Sequence, residues 1–458
     1  MDVNTSTYYK SYGLGFQCLD ENHVLEQADA EILDPDLQNL IIDYGPNNAW
    51  CGWNFKLEDT SGLIESWAHS EAQGFKTRWI MLFNVHKQRE FAVRLLEKYN
   101  LSARLIGSLI SSPGEGNLEI AKRLWHWSSV EHGEKFRIVG YNTLFNLDKL
   151  NLPPREAKPA GPEPKTNDAS RTGDATGIPS RWAFARRRKG FSNDPVLPIS
   201  GSPRLGIRSK NGGFTSKNVN EHSSFDNISA NDEDALSNIH YHPRMLRLWM
   251  WIIVTADGTV ISIHEPFPIN GKPKVELDRE NAAHIRRNLR MVLRCLSETR
   301  LSQQVETPSR DAKISIEEGA LLIRKTDGPT SDLLLYYLFD DWFTTWGIVV
   351  QRAHPYSKDL SSIREQDPQL EHIDKLHDIV RRLASLRRIY QSYELVINRL
   401  LDEAKDFFDA DSPLSFRPAA AFRINRLKYR VRYLAIPEIE DCESETQGLI
   451  SLVRQIRK

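Results

Sequence analysis

Asp340 and Asp341 come nearest to carrying chemistry in this chain: two adjacent carboxylates are the kind of group that holds a hydrated divalent cation. On a helix, however, neighbouring side chains diverge by about 100°, so the two cannot chelate from one face unaided. Solvated or arginine-paired carboxylates are the simpler expectation. His240, His242 and His264 form a second group. Neither a cysteine nor a suitably spaced acid accompanies them, as a zinc site would need, and a structural role is expected for all three. Gly13 and Gly15 lack the third glycine and the preceding strand of a dinucleotide loop. The sequence holds no GxxxxGK[ST], HExxH or GxSxG motif, so the chain reads as a non-enzyme with no assignable catalytic or cofactor-binding residue. No metal-ligand set is fixed either.

Charge is patterned more tellingly than the candidate ligands. Arg417, Arg423, Arg426, Lys428, Arg430 and Arg432 occur with no acid between Pro413 and Pro437, and Glu438, Glu440, Asp441, Glu443 and Glu445 follow at once. Such a pair of blocks can dock within the chain, line an oligomer interface or face lipid headgroups; two solvated faces on neighbouring helices are the plain alternative. A second basic knot, Arg181 with Arg186, Arg187, Arg188 and Lys189, is interleaved with Trp182, Phe184 and Phe191. It reads as a solvated cluster in a linker before it reads as a localisation signal. With 60 basic against 61 acidic residues there is no global field to draw in nucleic acid, and none is expected as a partner.

The elements that must carry these residues are of two kinds. Residues 1–152 alternate strand and helix signals. Strands are expected at Thr77–Val85, Ala103–Ile110 and Phe136–Tyr141, and helices at Gln88–Tyr99 and Leu118–Trp127, with Trp125 and Trp127 as core aromatics. Residues 153–235 turn to Pro, Gly, Ser, Asn and charge, too little apolar surface to offset chain entropy; a disordered insertion is expected. Deleting Pro153–Asp234 is accordingly expected to leave the thermal midpoint within a few degrees, with recovery only as aggregate the contrary result. In residues 236–310, Met245–Val254 and Thr259–His264 flank an Asp257-Gly258 turn as a hairpin completing the same sheet, and Asn281–Glu298 reads as an amphipathic helix.

Residues 311–458 are helical. A DLLLYYLFDDW helix leads into a heptad run at Leu376, Ile379, Leu383, Leu386, Tyr390, Tyr393, Ile397 and Leu400, whose steps alternate three and four. Between Pro368 and Ala410 this allows a helix of roughly 40 residues, about 60 Å long. A third helical piece is expected at Ala419–Ala435. The fold class is therefore α+β: a mixed sheet domain followed by long antiparallel helices with a coiled-coil-like stalk. Cys18, Cys51, Cys295 and Cys442 are widely spaced and read as reduced thiols. No signal peptide opens the sequence, and its strongest apolar run, Leu248–Val254, reaches about a third of the roughly 20 residues a bilayer demands.

Four segments resemble the fungal CorA-like proteins, relatives of the CorA divalent-cation channels: Leu333–Trp346, His354–Arg364, His372–Leu401 and Arg244–Pro268. The resemblance covers about Pro243–Ile436. It implies a cytosolic α/β domain followed by very long helices, assembled as a homo-oligomeric, pentameric funnel, with Mg²⁺ as a regulatory ion and membrane-embedded relatives as partners. The pore's Gly-Met-Asn motif does not occur, and the sequence stops at Lys458, where the family's stalk would lead into the first span. The expectation is the cytosolic domain of a magnesium or divalent-cation transporter that does not itself transport, cytoplasmic as written and membrane-associated if part of a longer channel. The alternative is a soluble scaffold or regulator that binds partners through its long helices.

Overall fold

Two apolar runs, Leu40–Ile42 and Trp79–Leu82, are buried on both sides, as strands in the middle of a covered sheet must be. The computed structural model describes residues 3–70, 74–110, 129–146, 245–265, 279–298, 323–324, 330–340, 355–366, 369–407, 412 and 414–456. The helix expected at Leu118–Trp127, the insertion expected at 153–235 with its basic knot, His240, His242, Asp341 and Trp342 lie outside the described residues. Met1–Pro153 and Ala230–Lys458 form one compact unit.

That unit is built on an eight-stranded mixed sheet: β1 (Gln17–Cys18), β2 (Asn39–Tyr44), β3 (Ala49–Trp53), β4 (Thr77–Leu82), β5 (Ser129–His132), β6 (Phe136–Asn146), β7 (Met245–Thr255) and β8 (Thr259–His264). The order is β1-β3-β2-β4-β8-β7-β6-β5, and only the β4–β8 pair is parallel. The expected hairpin is present: Gly258 takes φ +82°, and the Asp257 carboxylate accepts from the Thr255 hydroxyl and, at 3.1 Å, from the Thr259 amide. Thus β7 and β8, which follow the 153–235 segment, pair with β6 and β4, which precede it.

Period-two alternation sorts the strand side chains into two cores. Ile41, Ile80, Leu82, Ile138, Ile253, Ile261 and Ile263 pack with Tyr9, Leu63, Trp67, Phe91 and Leu109, from α1 (Val3–Ser11), α3 (Thr60–Ser70), α4 (Arg89–Glu97) and α5 (Ala103–Ile110). The opposite set, including Ile42, Trp79, Met81, Tyr141 and Ile252, packs under α2 (Asn22–Ile32), α7 (Arg287–Cys295), α8 (Ser331–Phe339), α9 (Pro355–Glu365), α10 (His372–Phe407), α11 (Pro418–Arg430) and α12 (Ile436–Ile456).

Three expectations need correction. Ala103–Ile110 is a helix and not a strand: Ile106, Leu109 and Ile110 fall on one buried face at helical spacing, and Ser102 caps it, its hydroxyl accepting from the Leu105 amide at 3.3 Å. Asn281–Glu298 is two helices, α6 (Arg279–Ile285) and α7, broken at Arg286. There the guanidinium donates to the carbonyls of Ile32 and Asp34 at 2.8 Å each and lies over the Phe83 ring. The third helical piece does not stop at Ala435. After α11 the chain makes a π turn over Val431–Ala435 and runs on as α12. Pro437 has no amide to give the carbonyl four residues back, and the wider turn just before it, with the Ile436 amide reaching Val431, lets the rod continue.

One buried polar group inside this frame went unread in the sequence. Asp43 and Arg78 face each other across β2 and β4, with guanidinium nitrogens 2.6 Å from both carboxylate oxygens, and the Tyr9 hydroxyl donates to Asp43 at 2.7 Å. Burial alone would push the Arg78 guanidinium down; the Asp43 carboxylate beside it reverses that and raises it. Burial, then Asp43, pushes the Tyr9 phenol well above its ordinary value. The signal was an Asp and an Arg within strands otherwise rich in apolar residues.

Candidate interaction surface

The heptad run forms α10, 36 residues and about 54 Å long. All eight seam residues are buried, and they face this chain's own α11, π turn and α12 together with the sheet. Pairing of the seam with another chain is not shown. Its anchor to the sheet is aromatic. The Tyr393 hydroxyl donates to the Asn142 carbonyl of β6, and its ring meets Phe339 edge-on at 5.9 Å; Tyr141 packs against the same Phe339 at 4.7 Å and donates to the Leu338 carbonyl at 3.0 Å.

Two arginines of the basic block fasten α11 along α8. At one end Arg417 holds Asp332 through its backbone amide at 3.0 Å and its guanidinium; at the other, Arg430 donates to both Asp340 oxygens at 3.1 and 3.3 Å. Asp340 also accepts from the Tyr336 hydroxyl at 2.6 Å, and burial, then that carboxylate, pushes the Tyr336 phenol up. Asp340 is therefore an arginine-paired carboxylate at a helix junction. Among the described residues no three His, Cys, Asp or Glu side chains come together as a metal group.

The acidic block is partly consumed in the same way. Glu443 accepts from Arg387 of α10 at 2.8 Å, and Glu445 pairs with Arg364 of α9. Arg387 lies off the seam, and its pair with Glu443 makes it a tethered position and no free surface site. Arg417 and Arg430, with Glu443 and Glu445, thus dock within the chain, and Arg432 lies 3.9 Å from Glu394 of α10.

What remains faces outward on the α11–α12 rod. Ala420, Ile424, Leu427, Val431, Ala435, Ile439 and Cys442 make the buried stripe. Opposite it, Phe422 is 70% exposed, Tyr429 55%, Tyr433 59% and Leu434 55%, with Arg426 and Arg432 also exposed. Phe422, Arg426, Tyr429 and Tyr433 follow steps of four, three and four, so they line one side of the helix. Tyr429 and Tyr433 stack at 5.7 Å, and the Arg432 guanidinium lies 5.8 Å from the Tyr433 ring. Past the π turn the same side carries exposed Glu440 and Asp441, then Ser444, Gly448 and Leu452. Sequence reading saw the charge here and missed the aromatic spacing inside it.

His264 has no ligand-like company. Its Nε2 lies 3.0 Å from the Ser262 hydroxyl and its ring stacks on Phe83 at 4.8 Å. Burial, then the Arg286 guanidinium, pushes it down to about 3. Because the unfolded imidazole protonates near 6.5 and the folded one resists, the unfolded chain binds more protons as pH falls from 6.5 towards 3, and stability is lost across that window. The His264→Asn variant is expected to show a shallower loss there, by up to about 1.4 kcal/mol per pH unit, read by urea unfolding at pH 4.5 and 7. An unchanged pH slope would contradict the assignment.

None of the four cysteines forms a disulfide, and Cys51 and Cys442 are buried. No helix of the described residues is long and apolar enough to cross a membrane. No protein-family model matches this chain, and no curated protein matches it either.

Proposed function

We propose that the chain is a non-enzymatic docking scaffold: an α/β body that holds the α11–α12 rod against its sheet and presents the rod's outer side to another protein. The observation that carries this reading is the run of exposed aromatic side chains at Phe422, Tyr429 and Tyr433, on a helix whose opposite side is fully committed to the core. Exposed aromatics in register with arginine are characteristic of interaction surfaces. Photo-crosslinking in cells tests it, with a benzophenone amino acid at position 429 and, as control, at position 381, a 79% exposed site on α10. Defined adducts from 429 and none from 381 are expected; equal or absent labelling contradicts the reading.

A second reading is favoured by a separate observation, the packing of long helices over one face of a mixed sheet. Together with the resemblance of Pro243–Ile436 to the CorA-like group, it supports a role as the extramembrane part of a divalent-cation transport assembly, with Mg²⁺ regulating a homo-oligomer. Sedimentation velocity in millimolar Mg²⁺, in NaCl of equal ionic strength and in EDTA separates the two. An oligomer stabilised by Mg²⁺ and not by NaCl supports the transport reading, since a cation bound only by the assembled form shifts the equilibrium towards it; one distribution in all three contradicts it.

A further inference from the structure

We propose that the outer side of the α11–α12 rod binds a second copy of this chain in antiparallel register, about a two-fold axis near Pro437. This rests on the docking reading above and names its partner. The side is electrically lopsided: Arg426 is exposed before the π turn and Arg432 within it, 3.9 Å from Glu394 of α10, while Glu440 and Asp441 are exposed after it. An anionic membrane would meet the basic half and be repelled by the acidic one. An acidic peptide would leave the acidic half and Leu452 uncovered. A second copy turned end for end sets the basic half of each copy against the acidic half of the other.

The register follows from the same residues. With Pro437 on the axis, Phe422 stands opposite Leu452, and these are the exposed apolar groups at the two ends of the side, 70% and 44% accessible. Tyr433 then stands opposite Asp441, and Leu434 opposite Glu440. Arg426 stands opposite Gly448, where a Cβ would meet nothing within 4 Å, so space is open there. The contact spans about 45 Å of helix on each copy. A parallel pairing would instead set Arg426 against Arg426 and Asp441 against Asp441, with like charges opposed along the whole contact. Isologous pairing of this kind closes on itself and stops at two copies.

Charge exchange tests the pairing in the full chain. One variant makes both halves acidic (Arg426→Glu, Arg432→Glu) and another makes both basic (Glu440→Lys, Asp441→Lys). The wild type is expected to sediment as a dimer at low salt and to weaken about tenfold as salt screens the pairs. Each variant alone is expected to be monomeric, with a thermal midpoint within a few degrees of the wild type's although Arg432→Glu gives up the 3.9 Å pair with Glu394, and their equimolar mixture to restore the dimer, which a folding defect could not do. Cysteine pairs fix the direction: Tyr433→Cys mixed with Asp441→Cys is expected to form a disulfide-linked dimer, and Tyr433→Cys alone is not. The two positions are about 12 Å apart along one helix, too far for a bridge within a chain. A wild-type monomer at low salt, a dimer indifferent to both charge variants, or crosslinking by Tyr433→Cys alone overturns the proposal. A monomer in solution together with adducts from position 429 to a different protein overturns self-pairing and leaves the docking reading standing.

Discussion

Leu386→Asp is expected to lower the free energy of unfolding by about 3–5 kcal/mol. Leu386 is fully buried in the middle of α10, one seam step from Leu383 and Tyr390, where the sheet on one side and the α11–α12 rod on the other exclude water. A carboxylate there loses the leucine's burial and must either be desolvated or take up a proton. The fitting control is Arg381→Ala on the same helix, since Arg381 is exposed and only 3.8 Å from Asp378 in a loose surface pair. It should cost under about 1 kcal/mol. Chemical denaturation of the two variants decides the matter, and equal midpoints would contradict the burial of the seam.

Asp43→Ala is expected to be nearly as damaging, by about 3–5 kcal/mol, for a different reason. The change removes no large apolar group; it leaves the Arg78 guanidinium buried with only the Ser66 hydroxyl, 3.1 Å away, and the Leu63 carbonyl to accept its donors. The Tyr9 hydroxyl loses its acceptor in the same step. The paired replacement Asp43→Leu with Arg78→Met removes both charges and should recover most of the loss, because the penalty lies in the unpaired charge and not in the pair. Urea unfolding of the single and double variants checks this. A single-variant cost under about 1 kcal/mol would mean the pair is hydrated.

Legibility in the sequence followed the length of the periodic signal. The heptad run of α10 was legible because eight apolar residues repeat over seven turns, and the β7–β8 hairpin because Asp-Gly is a backbone requirement written in residue type. Ala103–Ile110 misled because eight residues, with Gly107 in the middle, cannot separate a strand run from one face of a short helix. Only its neighbours decide, and β4 already has β2 and β8 on its two edges. Arg286 breaks a helix through a tertiary anchor on Ile32 and Asp34, far away in sequence and invisible to local pattern. In the sequence the third helical piece ends at Ala435, because the π turn that carries the helix past Pro437 has no signature in composition. The candidate surface was half legible: its charge blocks were plain, but which members would be spent on α8, α9 and α10, and which aromatics would be left outside, depended on the docked geometry.

Native-state amide exchange gives the most direct measurement of whether the C-terminal helices and the sheet are one folded body with a single side left for a partner. Amides of α10 and of the buried stripe from Ile424 to Ile439 are expected to exchange with the same opening free energy as β4 and β8, by global unfolding, since they share one core. Protection of α10–α12 that is lost well below the global value, with β4 and β8 still protected, would show the helices to be a detachable stalk and would contradict a rod fixed in place to present Tyr429 and Tyr433.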